Sequence, residues 1–385
     1  MSNSKELKIK REIQFDGLRG LAALIVLNSH FVCAFLPSLN SKFFPEIFNE
    51  FNKSNFFISF FQFPPFSILF NGHAAVCVFF VLSGYVLSIP FHQRNIKKLY
   101  LRLFARYFRL NIPIVFVTLF SFILSKMNFY KNSLAGNLSG SQWMTYWYDP
   151  SQMSLSEMIK SSIFEGILYG DDTFIAPLWT LKIEFIGSFL LIIYLIISFR
   201  KKQIYTLPLF LIFLAFFFKY QSIYYYLFVA GAFIKWIPNV KGFKLNLLLF
   251  LGFYLISFQD SNLYKFLNEI PINSSLRIIY HGLGSILLVY CVKNGFMNKL
   301  LTSRVCLFFG GISYSFYITH HLFLCSYISA IYIATNQYNF SLYLLYPLYL
   351  FSTAIFSYFI FSKIDIIGIH FSNNFSKKIY NFFKF

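Results

Sequence analysis

The stretch FDGLRGLAALIVLNSHFVCAFLP, residues 15–37, decides how the rest of the chain is read. Its residues 18–36 are apolar enough to cross a hydrocarbon core of about 30 Å as a helix. Yet the run holds Arg19 near one end and His30 well inside. Ionisable side chains are costly in a membrane span and mark function by default. Eleven residues at about 100° each make three turns plus ~20°, so Arg19 and His30 share one helix face, about 16 Å apart along the axis. An imidazole titrates near neutrality and suits general-base work; the alternative for His30 is an ordinary packed histidine.

Composition extends this reading to the whole chain. Of 385 residues, 57% are hydrophobic and only 12% charged, against roughly a quarter charged in a soluble domain. So few charges cannot cover a water-exposed surface of this size, and lipid is the solvent that fits. The net charge of +19 would suit nucleic acid in a soluble protein, but the basic residues cluster between apolar runs. That is the positive-inside pattern, and no nucleic-acid partner is expected. Cys33, Cys77, Cys291, Cys306 and Cys325 occur singly in or beside apolar runs, as small buried hydrophobes do, not as a disulfide framework. The polar Met1–Arg11 segment is followed by no small-residue cleavage site, so the first span is expected to be retained.

Apolar runs predict an all-α integral membrane protein of about ten spans: 18–36, 73–91, 110–126, 178–199, 205–219, 222–238, 245–258, 274–293, 307–333 and 341–362. With ten, six basic clusters fall on one side together with both termini, which assigns that side to the cytoplasm. The clusters are Lys5/Lys8/Lys10/Arg11, Arg94/Lys97/Lys98/Arg102/Arg106/Arg109, Arg200/Lys201/Lys202, Lys235/Lys241/Lys244, Lys293/Lys299/Arg304 and Lys363/Lys377/Lys378/Lys384. The opposite loops carry Asp149, Asp171, Asp172, Asp260 and Glu269. Two long loops, 37–72 and 127–177, lie on that outer side, and loops of such length are often functional. Trp143, Tyr146, Trp147 and Tyr148 suit either stacking on sugar rings or anchoring at lipid headgroups. Residues 157–170 read as a helix on the membrane surface. The whole chain reads as one transmembrane domain with no appended soluble domain.

Other polar residues sit where lipid should exclude them. Glu184 lies about six residues into the fourth span, a depth matching that of His30, and is expected to orient that imidazole or to pair with Lys182. Arg102, Arg106 and Arg109, at helical spacings of three and four, share a face near the cytoplasmic boundary. Guanidinium forks there suit donor phosphates; plain positive-inside topology is the alternative. The ninth span carries Gly310, Gly311, Ser313, Tyr314, Ser315, Tyr317, Thr319, His320 and His321, with His320 near mid-membrane. Ser83 and Gly84 suit close helix packing, and His73 and His281 read as interfacial residues. No His/Asp/Glu/Cys grouping has metal-ligand spacing, and there is no nucleophile elbow or phosphate loop.

Taken together these segments resemble the membrane-bound acyltransferase-3 family. The resemblance rests on Phe15-Asp16-Gly17-Leu18-Arg19-Gly20 with His30, Phe79–Tyr85, Arg106-x-x-Arg109, Leu178-Trp179-Thr180-Leu181-x-x-Glu184 and Ser313-Tyr314-Ser315-Phe316-Tyr317-x-x-His320. It spans nearly the whole chain; Pro113, four residues after Arg109, departs from the commonest spacing of three. It implies a ten-span core, essential Arg19 and His30, and O-acylation of a cell-surface glycan such as O-antigen, capsule or exopolysaccharide in a bacterial inner membrane. Acetyl-CoA is the implied donor substrate, with no permanently bound cofactor. The soluble esterase-like domain of some members has no counterpart here, so the membrane part is expected to act alone or with a separate protein. The expected catalytic set is His30, Glu184 and Arg19, and the donor-binding set Arg102, Arg106, Arg109 and Ser83. Trp179, Tyr314 and His320 are assigned to acceptor binding or to structure. Acyl-CoA, a glycan or lipid-linked glycan and membrane lipid are the expected partners, with a homo-oligomer left open. The rival from another class is a transporter or glycolipid flippase, whose Arg and His would line a path between paired half-repeats; no such symmetry is visible.

Overall fold

The computed structural model describes residues 12–48, 56–149, 151, 153–201, 203–268, 276–335 and 341–383, and every regular element among them is helical. Lys5, Lys8, Lys10, Arg11, Lys202, Glu269, Lys384 and the first two residues of the 274–293 span lie outside these ranges. Eleven main helices follow in order: α1 Gln14–Phe35, α2 Gly72–His92, α3 Ile96–Lys126, α4 Leu178–Ile197, α5 Gln203–Phe218, α6 Ser222–Phe233, α7 Phe243–Ile256, α8 Leu276–Lys293, α9 Arg304–Phe323, α10 Ser341–Ile360 and α11 Ile366–Phe383. Their starts are written locally. The Asn71, Asn95 and Ser303 side chains accept from amides three residues on and so cap α2, α3 and α9. Asp16 in the first turn of α1 complements its N-terminus.

The ten expected spans all fall on helices, but only eight described runs are long and apolar enough to cross a membrane. The regrouping has a physical cause. Spans 205–219 and 222–238 correspond to α5 and α6, of 16 and 12 residues, folded on each other about the turn Lys219–Gln221. The Tyr226 hydroxyl donates to the Leu211 carbonyl at 3.2 Å across that hairpin. At about 1.5 Å per residue neither helix alone reaches 30 Å, and the 14-residue α7 is shorter than a span as well. In the other direction, α3 begins at Ile96, fourteen residues before the expected span at 110, and runs for 31 residues. Its early half pairs with α11, an element the sequence reading left blank, through Phe108 against Phe371 and Phe375.

Close glycine crossings hold the bundle. A Cβ on Gly310 of α9 would stand 2.2 Å from the Asp16 carbonyl oxygen of α1, and one on Gly84 of α2 would stand 2.0 Å from the Phe228 carbonyl oxygen of α6. Backbones thus approach with nothing between them, the small-residue packing that membrane helices use in place of a hydrophobic driving force. Outward faces are apolar instead of charged: Phe216 of α5 is 76% exposed and Ile355 of α10 is 72% exposed. A lipid-facing surface explains this; water does not.

Basic residues from several of the described clusters meet at one end. Arg94, after α2, donates to the Phe199 carbonyl beyond α4 at 3.5 Å. The Lys293 ammonium closing α8 donates to the Ile234 and Ile237 carbonyls beyond α6 at 3.1 and 2.6 Å. Lys97 lies over the Tyr380 ring of α11. At the other end the described parts of the loops 37–72 and 127–177 fold into short helical turns that pack on α1, α3 and α4. Within 127–177, residues 155–169 are helical, close to the expected 157–170. All five cysteines are buried and free.

Candidate functional site

Two cavities lie one above the other between α1, α2, α4 and α9, and Val76 and Tyr317 line both. The cavity under the loops encloses about 170 Å³ and is lined by His30, His73, Trp143, Trp147, Trp179 and His321 among others. The cavity toward the basic end encloses about 260 Å³, with Arg19, Ser83, Arg106, Arg109, Glu184, Tyr314 and Asp365 on its walls. Drug-sized ligand pockets are usually about 300–1,000 Å³, so each chamber suits the end of a ligand more than a whole one. Their shared wall is braced by Thr180. Its hydroxyl donates to the Pro177 carbonyl at 2.7 Å and therefore accepts from the Tyr317 hydroxyl, also at 2.7 Å.

Histidines form the upper site. His30 Nδ1 stands 2.6 Å from His320 Nε2, with the rings stacked at 4.8 Å between centroids. The other nitrogen of His320, Nδ1, faces the Phe316 carbonyl at 3.2 Å. A carbonyl only accepts, so His320 Nδ1 carries hydrogen and its Nε2 is the acceptor. His30 must then donate through Nδ1, which leaves its Nε2 as the basic lone pair. A backbone carbonyl thus fixes the tautomer of a half-buried base through an intervening, fully buried imidazole. Trp143 stacks on His30 with centroids 5.5 Å apart and meets His321 edge-on at 5.4 Å. The loop carrying Trp143 and Trp147 is clamped: Asn132 donates to the Met144 and Trp147 carbonyls at 3.0 and 2.6 Å, and Ser141 donates to the Cys33 carbonyl at 2.7 Å.

The lower site is ionic and internally matched. Arg106 pairs with Glu184, Arg109 with Asp365 and Arg19 with Asp16. Ser83 donates to Glu184 at 2.8 Å, and Arg106 Nε donates to Ser188 at 2.6 Å. The Tyr314 hydroxyl donates to the Leu110 carbonyl at 2.5 Å. Charges in low dielectric require partners of this kind. Arg109 remains one-third exposed, and a guanidinium has five N–H donors, so the pairs leave it capacity for a further anion.

Several expectations are corrected. Glu184 does not orient His30, and Lys182 is not its partner: a guanidinium satisfies a buried carboxylate far better than a neutral imidazole does, and Arg106 takes that place. Arg102 parts from Arg106 and Arg109 and does not line the cavity. Pro90 has no N–H to give the Val86 carbonyl four residues earlier, and Arg102 fills the gap, donating to Val86 and Leu87 at 2.6 and 3.1 Å. His73 and His281 are not separate interfacial residues but a pair with nitrogens 2.8 Å apart, His281 fully buried, tied to Tyr224 at 3.0 Å and the Phe258 carbonyl at 2.9 Å. Of the other expected residues, His320 holds His30, Trp179 lines the histidine cavity, and Arg19, Ser83 and Tyr314 line the arginine cavity. Sequence reasoning missed Asp365, and it noted Thr180, Tyr317 and His321 within motifs without giving them a place in the site. Its place inside an apolar span, next to His320, was the available signal for His321.

Fold and site together define a multi-pass membrane protein with a histidine chamber stacked on a charged one. The chain belongs to the acyltransferase-3 family: the family model described as an acyltransferase domain matches residues 12–362. It is also similar to the O-acetyltransferase PaAT-1 of Phomopsis amygdali, at 25% identity over 60% of this chain and 50% of that protein. The chain thus spans about half the length of the curated relative it matches. No solved structure matches it.

Proposed function

We propose that the chain is an O-acyltransferase, and in particular an O-acetyltransferase, that moves an acyl group from cytoplasmic acyl-CoA to a hydroxyl of a cell-surface glycan across a bacterial cytoplasmic membrane. The observation that carries this reading is the His30–His320 pair, whose fixed tautomer leaves a basic Nε2 on a histidine that lines a cavity walled by three tryptophans. Family membership supports the reaction class, and the named relative supports acetyl as the group.

In this reading the donor's phosphates bind at the basic end, beside Arg109 and Arg19, and its thioester passes the Val76–Tyr317 wall into the histidine cavity. An acceptor sugar enters under the tryptophan loop. His30 Nε2 takes the hydroxyl proton as the oxygen attacks the acyl carbon. The C–O bond forms, the C–S bond breaks, and the departing thiolate takes the proton from His30, leaving an ester and free coenzyme A. Base catalysis of this kind is worth about 10² to 10⁴ in rate, and positioning between the two chambers adds to it.

The test is acceptor-dependent thiol release from acetyl-CoA by the chain in lipid nanodiscs. His320→Ala removes the group that orders the base and is expected to lower kcat by about 10²-fold. His320→Gln, whose carbonyl still accepts from His30 Nδ1, is expected to stay within about tenfold of wild type. Equal loss in both variants would sink the tautomer argument, and transport of a glycolipid without thiol release would favour the flippase.

A further inference from the structure

Two ring nitrogens at the histidine cavity have no hydrogen-bond partner among the described residues. His321 is fully buried, and its Nδ1 is faced by the Tyr148 hydroxyl at 3.2 Å and the Cys325 thiol at 3.6 Å. Each of those groups can donate a proton, and assigning Nδ1 as the acceptor leaves hydrogen on Nε2. That Nε2 finds no acceptor among the described residues, and neither does the buried Trp147 Nε1. The two rings touch, with centroids 5.1 Å apart, and His321 meets the His30 ring at 5.2 Å. Buried unpaired N–H groups are rare and destabilising. Here two of them adjoin one cavity and one candidate base.

We infer that His321 Nε2–H and Trp147 Nε1–H form the oxyanion site of the acyl transfer, receiving the thioester oxygen as it becomes negative. The assignment rests on the acyl-transfer reading above. As the acceptor oxygen adds to the carbonyl carbon and its proton passes to His30, the C=O electron pair moves onto the oxygen held by these two donors. Collapse returns that pair, expels the thiolate, and leaves the donors as they were. Preorganised donors of this kind act on the transition state more than on the ground state. Tyr148, itself stacked on Tyr130 at 4.2 Å, and the clamped loop hold the two rings beside the cavity.

The decisive variant is Trp147→Phe. It keeps a ring against His321 and deletes an N–H that no described protein group accepts, so a structural role requires stability to fall or activity to stand. The oxyanion role requires the opposite: kcat lower by about 10²-fold, KM for acetyl-CoA and acceptor within about twofold, and a melting temperature unchanged or raised. His321→Gln, which retains an N–H donor, should lose less than His321→Leu. A wild-type kcat in Trp147→Phe, or a raised acceptor KM with kcat intact, overturns the assignment and leaves the acyl-transfer reading standing. No thioester turnover by the wild type would bring down both.

Discussion

A residue's role in this protein depends on who answers its charge. Arg106 and Glu184 are each only 14% exposed and answer one another, so removing either leaves an uncompensated buried ion, a loss of about 3–5 kcal/mol. Arg106→Ala and Glu184→Ala are each expected to lower detergent-solubilised stability by that order, while the double variant recovers at least half. Additive losses in such a double-mutant cycle would show that the pair is not the unit. His30 has no ionic partner of this kind, and His30→Ala is expected to leave the melting temperature near wild type. This contrast marks what was legible in the sequence. Arg19 and His30 were readable as aligned on one face, because helical periodicity is local, and the structure puts them in the two stacked chambers. The partners were not readable. Glu184 lies 78 positions from Arg106, Asp365 lies 256 from Arg109, and His320 lies 290 from His30; the same residue types would satisfy the same pattern in other pairings. Arg102 misled for a related reason. Its guanidinium looks identical to its neighbours in sequence, and only the carbonyl orphaned by Pro90 separates it from them.

At the scale of elements, α1 and α9 carry the site because their backbones cross at contact distance. The adjacent glycines Gly310 and Gly311 make this testable. A methyl at Gly310 runs into the Asp16 carbonyl of α1, whereas one at Gly311 meets nothing within 4 Å. Gly310→Ala is therefore expected to reduce the monodisperse fraction in size-exclusion chromatography and to lower stability by about 1–3 kcal/mol or more. Gly311→Ala should fold as wild type, and similar behaviour of the two would refute the crossing. Hydropathy made most spans visible but not their length. The early half of α3 and all of α11 are amphipathic and pack on each other, so an apolar window sees neither; α5 and α6 look like spans although each is too short alone.

The molecule as a whole is polarised. Basic residues crowd one end and the tryptophan loops close the other, and a donor and an acceptor arriving from opposite sides of a membrane would each meet the chamber suited to it. With all native cysteines buried, introduced ones report orientation on a quiet background. Lys98→Cys, at the basic end, should react with an impermeant maleimide only after the cells are opened, whereas Tyr146→Cys should react in intact spheroplasts. The reverse labelling would turn the molecule over and put the charged cavity on the side away from the proposed donor.

The most direct measurement is the ester content of the surface glycan, read by NMR in a strain lacking the gene and complemented with wild type or with His30→Ala at equal membrane abundance. Esters that vanish in the deletion, return with wild type and stay absent with His30→Ala are the expected result. Esters restored by His30→Ala, or unchanged throughout while glycan export falls, would contradict a His30-based acyl transfer.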